Sequence, residues 1–583
     1  MDSRFTRRSN PQNSIRRYFY SLIYLSALLL VACGGGGSSD ISSSATTSAA
    51  TPPTSQPPVP APTPTPTPDK TPPSAPSGLS VTPTSPTQAY LTWTASIDNV
   101  GVSGYNVYRD GVKAGISSST NFTNTGLSPA TSYTYKVTAY DAAGNVSGFS
   151  ASVPVTTLSV SANTYYGNPT NYLSLLRNLT AGDTLILEAG DYDTPGDVPG
   201  LPIFDLNGAP GQPITITGPN SGSRPVLLGR STHNTIRLSN ASYVTIRNIE
   251  VDGRGLGGDG VNSQGVSHHI TLDNLYIHGV GADASGPNQQ IVGISTNNAP
   301  TWNWIIHNTV IDGAGTGMYL GHYLGENPFV AGTIENNVFK NTIGYNIEIK
   351  YQNVRVTVTG MPTTKSSTII RNNVFSKGSN SSSGGMARPN LLVDHFPPSG
   401  PGMDDVYEIY GNFFYQNPSE ALFQGEGNVA FHDNLLVNDS GDAINIQPHN
   451  DVPKMIRVFN NTIVANGRGI RVSGGSTAYQ QKVIGNAVFA GTSIQAPDQS
   501  DNVTDTYQNA KNYLANPTGA LGQIDLFPKV GTLKGTVLDT SSFNSFIDWD
   551  LDFNGNHHDG TFRGAYAGEG SNPGWLPKLE VKP

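Results

Sequence analysis

One asparagine recurs through most of the sequence in a constant setting. Alternating apolar residues precede it, and two residues that usually include Val, Ile, Leu or Phe follow. It stands at Asn248, Asn274, Asn308, Asn337, Asn373, Asn412, Asn434, Asn461 and Asn486, at spacings of 26, 34, 29, 36, 39, 22, 27 and 25 residues. A repeat with a floor near 22 residues, rich in Gly and β-branched residues, predicts a solenoid. Its physical form is a right-handed parallel β-helix, in which each coil buries its apolar face only by stacking on its neighbours. Asn suits the turns because it tolerates left-handed backbone and its amide can bond from coil to coil.

Composition agrees with an all-β chain. Charged residues are 13% of 583, and Gly (65) and Pro (42) are abundant. That charged share is roughly half the usual one, and helix surfaces need charged residues and exclude Gly and Pro. The 26 Tyr and 20 Phe supply enough buriable surface to exclude disorder throughout. A net charge of −9 disfavours nucleic-acid binding. With one Cys, no intrachain disulfide can form.

That single cysteine has a telling place. Residues 1–33 carry five Arg and one Asp, then an apolar run, and end Leu30-Val31-Ala32-Cys33-Gly34. The ending resembles the lipobox of bacterial lipoproteins, which implies cleavage, acylation of Cys33 and a membrane-anchored protein at the outer membrane or cell surface. Without residues 1–33, the chain has 28 basic and 41 acidic residues, near −13. A Gly-, Ser-, Thr- and Pro-rich tether, 34–71, follows; its Pro run favours extended polyproline II.

Residues 72–158 read as short alternating strands. Trp93, the Leu127-Ser128-Pro129 turn before Tyr133, the Asp110-Gly111 turn pair and Asp141-Ala142-Ala143-Gly144-Asn145 together resemble a fibronectin type III domain. The resemblance implies a spacer more readily than a ligand site. The β-helix is expected over 159–504. It opens with a short helix at 172–177 and strands near Leu185 and Ile214. This opening resembles β-helix polysaccharide lyases of the alginate lyase and chondroitinase B type. Residues 505–583 read as a C-terminal cap, with Trp549, Phe553, Phe562, Tyr566 and Trp575 expected to cover the last coil.

Stacking the strands after each Asn turn puts Ile294, Met318, Ile347, Leu391, Leu422, Ile444 and Ile470 in one inward column. Side chains alternate along a strand, so Tyr319, Glu348, Leu392, Phe423, Asn445 and Arg471 face outward, and so do Lys350, Asp394 and Gln447. His322, Tyr351, His395, Glu426 and His449 lie at strand ends. Coils ~4.8 Å apart bring Lys350 beside Asp394. The two longest coils carry this pair, and their extra residues, 352–367 and 396–404, are expected to wall a groove.

A long open groove suits a linear polymer, and no nucleotide-binding or acyl-transfer motif is present. The lyase resemblance implies β-elimination on a uronate polymer. A cation neutralises the carboxylate and a base takes the C5 proton. The catalytic candidates are Lys350, His395, Arg388 and Asp394, with Arg371 a weaker arginine beside the Asn turn. Glu348 and Asp394 would raise the Lys350 pKa, which favours an ion pair over a base and makes His395 the substitute. Tyr319, Tyr351, Phe423, Gln447, His449 and His322 are candidates for sugar contacts. The resemblance also implies calcium, for which Asn346, Glu348 and Glu426 offer ligands. An inverting glycoside hydrolase using two of Asp394, Glu426 and Glu348, and a non-catalytic glycan-binding lipoprotein, are the alternatives. The expected partners are an extracellular polysaccharide and a membrane, with the chain a monomer.

Overall fold

The computed structural model describes residues 69–159, 162–194, 196, 198–281, 291–356 and 358–583. The leader, the Cys33 lipobox and the tether up to residue 68 lie outside the described residues.

The first folded segment is a sandwich of two antiparallel sheets. One contains Ser77–Ser85, Gln88–Thr94 and Asn121–Asn124; the other contains Val102–Arg109, Val112–Ser117, Ser132–Asp141 and Val153–Thr156. Gln88–Thr94 alternates exposed and buried positions strictly. Its Leu91 and Trp93 pack with Tyr105, Val107, Tyr135 and Val137 in one core. The Asp110-Gly111 turn has positive φ at both residues, as a two-residue hairpin requires. The Tyr133 hydroxyl accepts the Ser128 N–H at 2.8 Å, closing the turn before its strand.

The second segment is a solenoid of three parallel strand stacks. It starts at Thr164–Gly167, a short helix Tyr172–Leu176 and Thr184–Leu187, close to the expected opening. One inner column runs through Ile294, Met318, Ile347, Leu391, Phe423, Ile444 and Ile470. All seven are fully buried. Burying each contributes roughly 1.5–3 kcal/mol. Phe423, not Leu422, fills the fifth place, so the expected register is corrected by one residue in that coil. Leu422 is fully buried as well, at the corner. Hydrophobicity alone therefore did not separate the two.

The asparagines occupy two adjacent columns. Asn248, Asn274 and Asn308 have positive φ, and that left-handed place passes in later coils to Asn336, Asn372, Gly411, Asp433, Asn460, Gly485 and Asp501. The residue after it forms the buried ladder. Each Nδ2 of Asn337, Asn373, Asn412, Asn434, Asn461 and Asn486 donates to the next asparagine's Oδ1, ending at Asn502, at 2.9–3.0 Å. An unmade bond in this dry column would cost about 1–3 kcal/mol.

The C-terminal segment does more than cover the last coil. It runs back along the outside of the solenoid. Leu538 and Phe543 pack on Phe459 and Ile484. Phe553 and Tyr566 join a cluster with Val338, Val374, Phe413 and Leu435, far from the last coil. The outer face of these strands is apolar because it is an interior.

Candidate functional site

The site lies where three consecutive coils leave the same strand stack. Backbone bonds continue the ladder past the strand ends. The N–H groups of Lys350, Asp394, Glu426 and Gln447 donate to Leu320, Ile349, Val393 and Gly425 carbonyls respectively. Lys350, Asp394 and Glu426 therefore occupy one column in successive coils. The corrected Phe423 register is what brings Glu426 into it.

Lys350 Nζ lies 2.9 Å from Glu348 Oε1 and 3.5 Å from Asp394 Oδ2. The Lys350 side chain is 12% exposed and that of Asp394 is fully buried. Burial opposes the lysine charge, but Glu348 and Asp394 outweigh it and push its pKa up. Burial raises the Glu348 pKa, and Lys350 partly offsets this. Lys350 is thus held protonated, and its role moves from base to fixed charge.

His449 sits over the same aspartate. Its Nδ1 is 3.2 Å from Asp394 Oδ1 and 3.0 Å from the Asn450 amide, and its side chain is 55% exposed. The hydrogen bond to Asp394 outweighs burial and raises its pKa. Glu426 holds this loop from below by accepting the backbone N–H groups of His449, Asn450 and Asp451 at 2.8–3.1 Å. Burial pushes the Glu426 carboxyl pKa up despite these bonds. Gly427 follows with φ +73°; a Cβ there would lie 2.9 Å from His395 Cα. Only glycine satisfies both demands.

His395 is buried and stacks on Tyr351 at 5.3 Å. Its Nδ1 lies 2.7 Å from the Phe396 carbonyl oxygen, which can only accept. The proton is therefore on Nδ1, and Nε2 carries the lone pair when the ring is neutral. Tyr319 pairs with Glu348 across the ladder, and burial with the Glu348 charge moves its pKa up to about 12. Arg388 lies at the edge, 5.6 Å over the Tyr345 ring, with Nη1 donating to the Ala387 carbonyl. Its own carbonyl accepts from buried Lys377 at 2.7 Å, an anchor that sequence reasoning missed.

Other candidates stand elsewhere. Phe423 is in the core, stacked on Phe431 at 4.6 Å, and offers no sugar face. His322 turns to its own loop, against Tyr323 and 3.7 Å from Glu326. Arg371 pairs with Glu335 and Asp548 at the Asn-ladder corner. Gln447 accepts from Arg471 at 2.6 Å. The first long insert is bolted to Asp405, the residue after the second, by a buried Arg355–Asp405 ion pair of 2.8 Å.

The residues expected to hold calcium do not converge. Asn346 Nδ2 donates inward to Thr342 Oγ1 and the Ser376 carbonyl, Glu348 faces Lys350, and Glu426 is saturated by backbone donors. Atoms of Asp394, Glu426 and His449 do lie within 4.8 Å of one another. The Lys350 ammonium lies 3.5 Å from Asp394 Oδ2, and that oxygen and Asn346 Oδ1 are buried with no hydrogen bond among the described residues.

The fibronectin type III domain model matches residues 74–156. Chitinase Chi52 of Paenibacillus xylanexedens is 50% identical over 92 residues, 16% of this chain and 18% of that protein. Exoglucanase B of Cellulomonas fimi is 48% identical over 94 residues, 16% of this chain and 9% of its own length. Gellan lyase of a Bacillus species is 46% identical over 70 residues, 12% and 3% of the two chains. The chain spans less than a fifth of the length of these relatives. What they share with it is of fibronectin-domain size, and it links the chain to carbohydrate-active enzymes at that level. Among solved structures, the GH136 lacto-N-biosidase from Eubacterium ramulus aligns over 53% of this chain and 68% of its own, at 13% identity and a TM-score of 0.32.

Proposed function

We propose that this chain is a surface-anchored, carbohydrate-active lipoprotein whose β-helix cleaves a uronate-containing polysaccharide by β-elimination. The observation that carries the reading is the half-exposed His449 backed by buried Asp394, beside an ammonium that Asp394 also holds. Elimination asks for a fixed positive charge and a base. Lys350 meets the uronate carboxylate and stabilises the charge that develops when C5 loses its proton. His449, oriented through Nδ1, takes that proton on Nε2. The C5–H electrons form the C4–C5 double bond as the C4–O4 bond breaks. Tyr319, whose pKa is pushed up to about 12, gives its proton to the leaving O4. Asp394 and Glu426 are both fully buried, and Glu426 is taken up by three backbone donors, which suits them as supports and not as the direct acid and base of a hydrolase.

The test is to offer the full mature chain alginate, pectate, glucuronan and glycosaminoglycans, with and without calcium. The expected product is an unsaturated uronate seen by ultraviolet absorbance. His449→Ala should lower its rate about a hundredfold or more, and His395→Ala much less. New reducing ends without unsaturation would point to hydrolysis instead, and no product on any polymer would leave only binding. Surface anchoring rests on the lipobox. Cys33→Ala should abolish fatty-acid labelling in cells, and labelling that survives the change would remove the anchor.

A further inference from the structure

The outward ladder runs from Glu348 through Leu392, Gln424 and Asn445 to Arg471. Four steps of ~4.8 Å put Arg471 ~19 Å along the solenoid from Glu348, on the same face. Ile470 and Val472 on either side of it are buried, so its side chain projects outward. Arg471 Nη1 donates to Gln447 Oε1 at 2.6 Å and to Asn445 Oδ1 at 3.5 Å. Both acceptors are neutral.

Arg224, Arg388 and Arg457 likewise meet only neutral acceptors among the described residues, but none of them stands on this ladder. Lys340, Arg355, Arg371 and Arg468 each meet a carboxylate. Arg471 pairs with none among the described residues. Two amides fix the guanidinium through one nitrogen and leave its charge uncompensated. The Nε–Nη2 edge, which can grip a carboxylate with two parallel hydrogen bonds, donates to nothing else. In a chain of net charge −9, a pre-oriented free cation on the face of the candidate site selects for anionic groups.

We propose that Arg471, held by Gln447 and Asn445, is a distal subsite that binds the carboxylate of a uronate unit on a polymer lying along the coils. The proposal rests on the uronate reading but not on elimination. It makes the enzyme prefer long chains, because a short oligomer seated at Lys350 does not reach four coils away.

The test is affinity electrophoresis of the full mature chain through gels containing polygalacturonate, alginate or neutral xylan. Wild type should be retarded by at least one polyuronate and less so as salt is raised. Arg471→Ala should weaken that retardation about tenfold, and Arg471→Lys should restore it only in part, since an ammonium cannot form the two-bond grip. Xylan mobility should be the same for all three, and thermal unfolding should show each variant folded. Equal polyuronate retardation of wild type and Arg471→Ala overturns the subsite, as does wild type passing every polyuronate unretarded. Elimination with unchanged Arg471→Ala binding sinks the subsite alone. Arg471-dependent binding without unsaturated product upholds the subsite and sinks the lyase reading.

Discussion

Asp394 touches two groups of different character. One oxygen faces the Lys350 ammonium at 3.5 Å and the other faces His449 Nδ1 at 3.2 Å. Its charge keeps Lys350 protonated and also raises the pKa of His449. These effects carry opposite signs against pH. A base must be neutral, so activity should rise with pH as His449 loses its proton. A histidine whose folded pKa is raised contributes stability fully below its unfolded value, and this is lost as pH climbs through the folded value. Activity should therefore grow over the range in which that contribution fades. Asp394→Asn separates the effects. Lys350 keeps Glu348 and stays charged, while His449 loses the carboxylate that raised its pKa. The acid limb of the pH–rate profile should move to lower pH, with kcat down roughly tenfold or more. A limb that stays in place in Asp394→Asn would show that His449 is not the titrating base.

The strand stacks show how much of this is legible in the sequence. The alternation of Ile294, Met318, Ile347 and Leu391 disclosed the inward column because one face is apolar in coil after coil. That alone put Lys350 next to Asp394. The pattern lost its grip at Leu422-Phe423, where two bulky apolar residues stand together and both end up buried. Alternation cannot choose between them, and the choice moved Glu426 from a strand end into the column. The asparagines misled in a similar way. Asn248 and Asn337 look equivalent in sequence, yet the first occupies a left-handed turn and the second a buried ladder one place later. Asn337 belongs to a pair, Asn336-Asn337, and only the backbone tells which member does which task. The sequence offers His449 as a strand-end candidate for sugar contact, and its aspartate is 55 residues away. No local signal links them; the link exists only once the coils are stacked in register.

The same stacking makes early coils depend on residues far along the sequence. Each coil supports its neighbours, but the apolar outer face over Val338, Val374 and Phe413 shares one cluster with Leu514, Leu526, Phe553 and Tyr566 of the C-terminal segment. Lys582 seals the closure. Its Nζ donates to Asn372 Oδ1 at 3.0 Å, the Gly411 carbonyl at 3.1 Å and the Phe553 carbonyl at 2.7 Å. Burial pulls its pKa down to about 7, against the pull of Asp552 and Asp433. The unfolded chain binds a proton there up to about pH 10.4. Between these two values the unfolded state carries more protons than the folded one, so stability rises with pH. Lys377, also pulled to about 7 by burial, contributes with the same sign. Lys582→Met should therefore reduce the slope without abolishing it. By linkage, wild type should gain up to about 2 kcal/mol more than the variant between about pH 7 and pH 9. Denaturant unfolding of the full mature chain at the two pH values measures this directly. Parallel changes in wild type and Lys582→Met would mean that Lys582 keeps its proton in the folded state. Its three acceptors would then hold an ammonium, and the seal would be independent of pH.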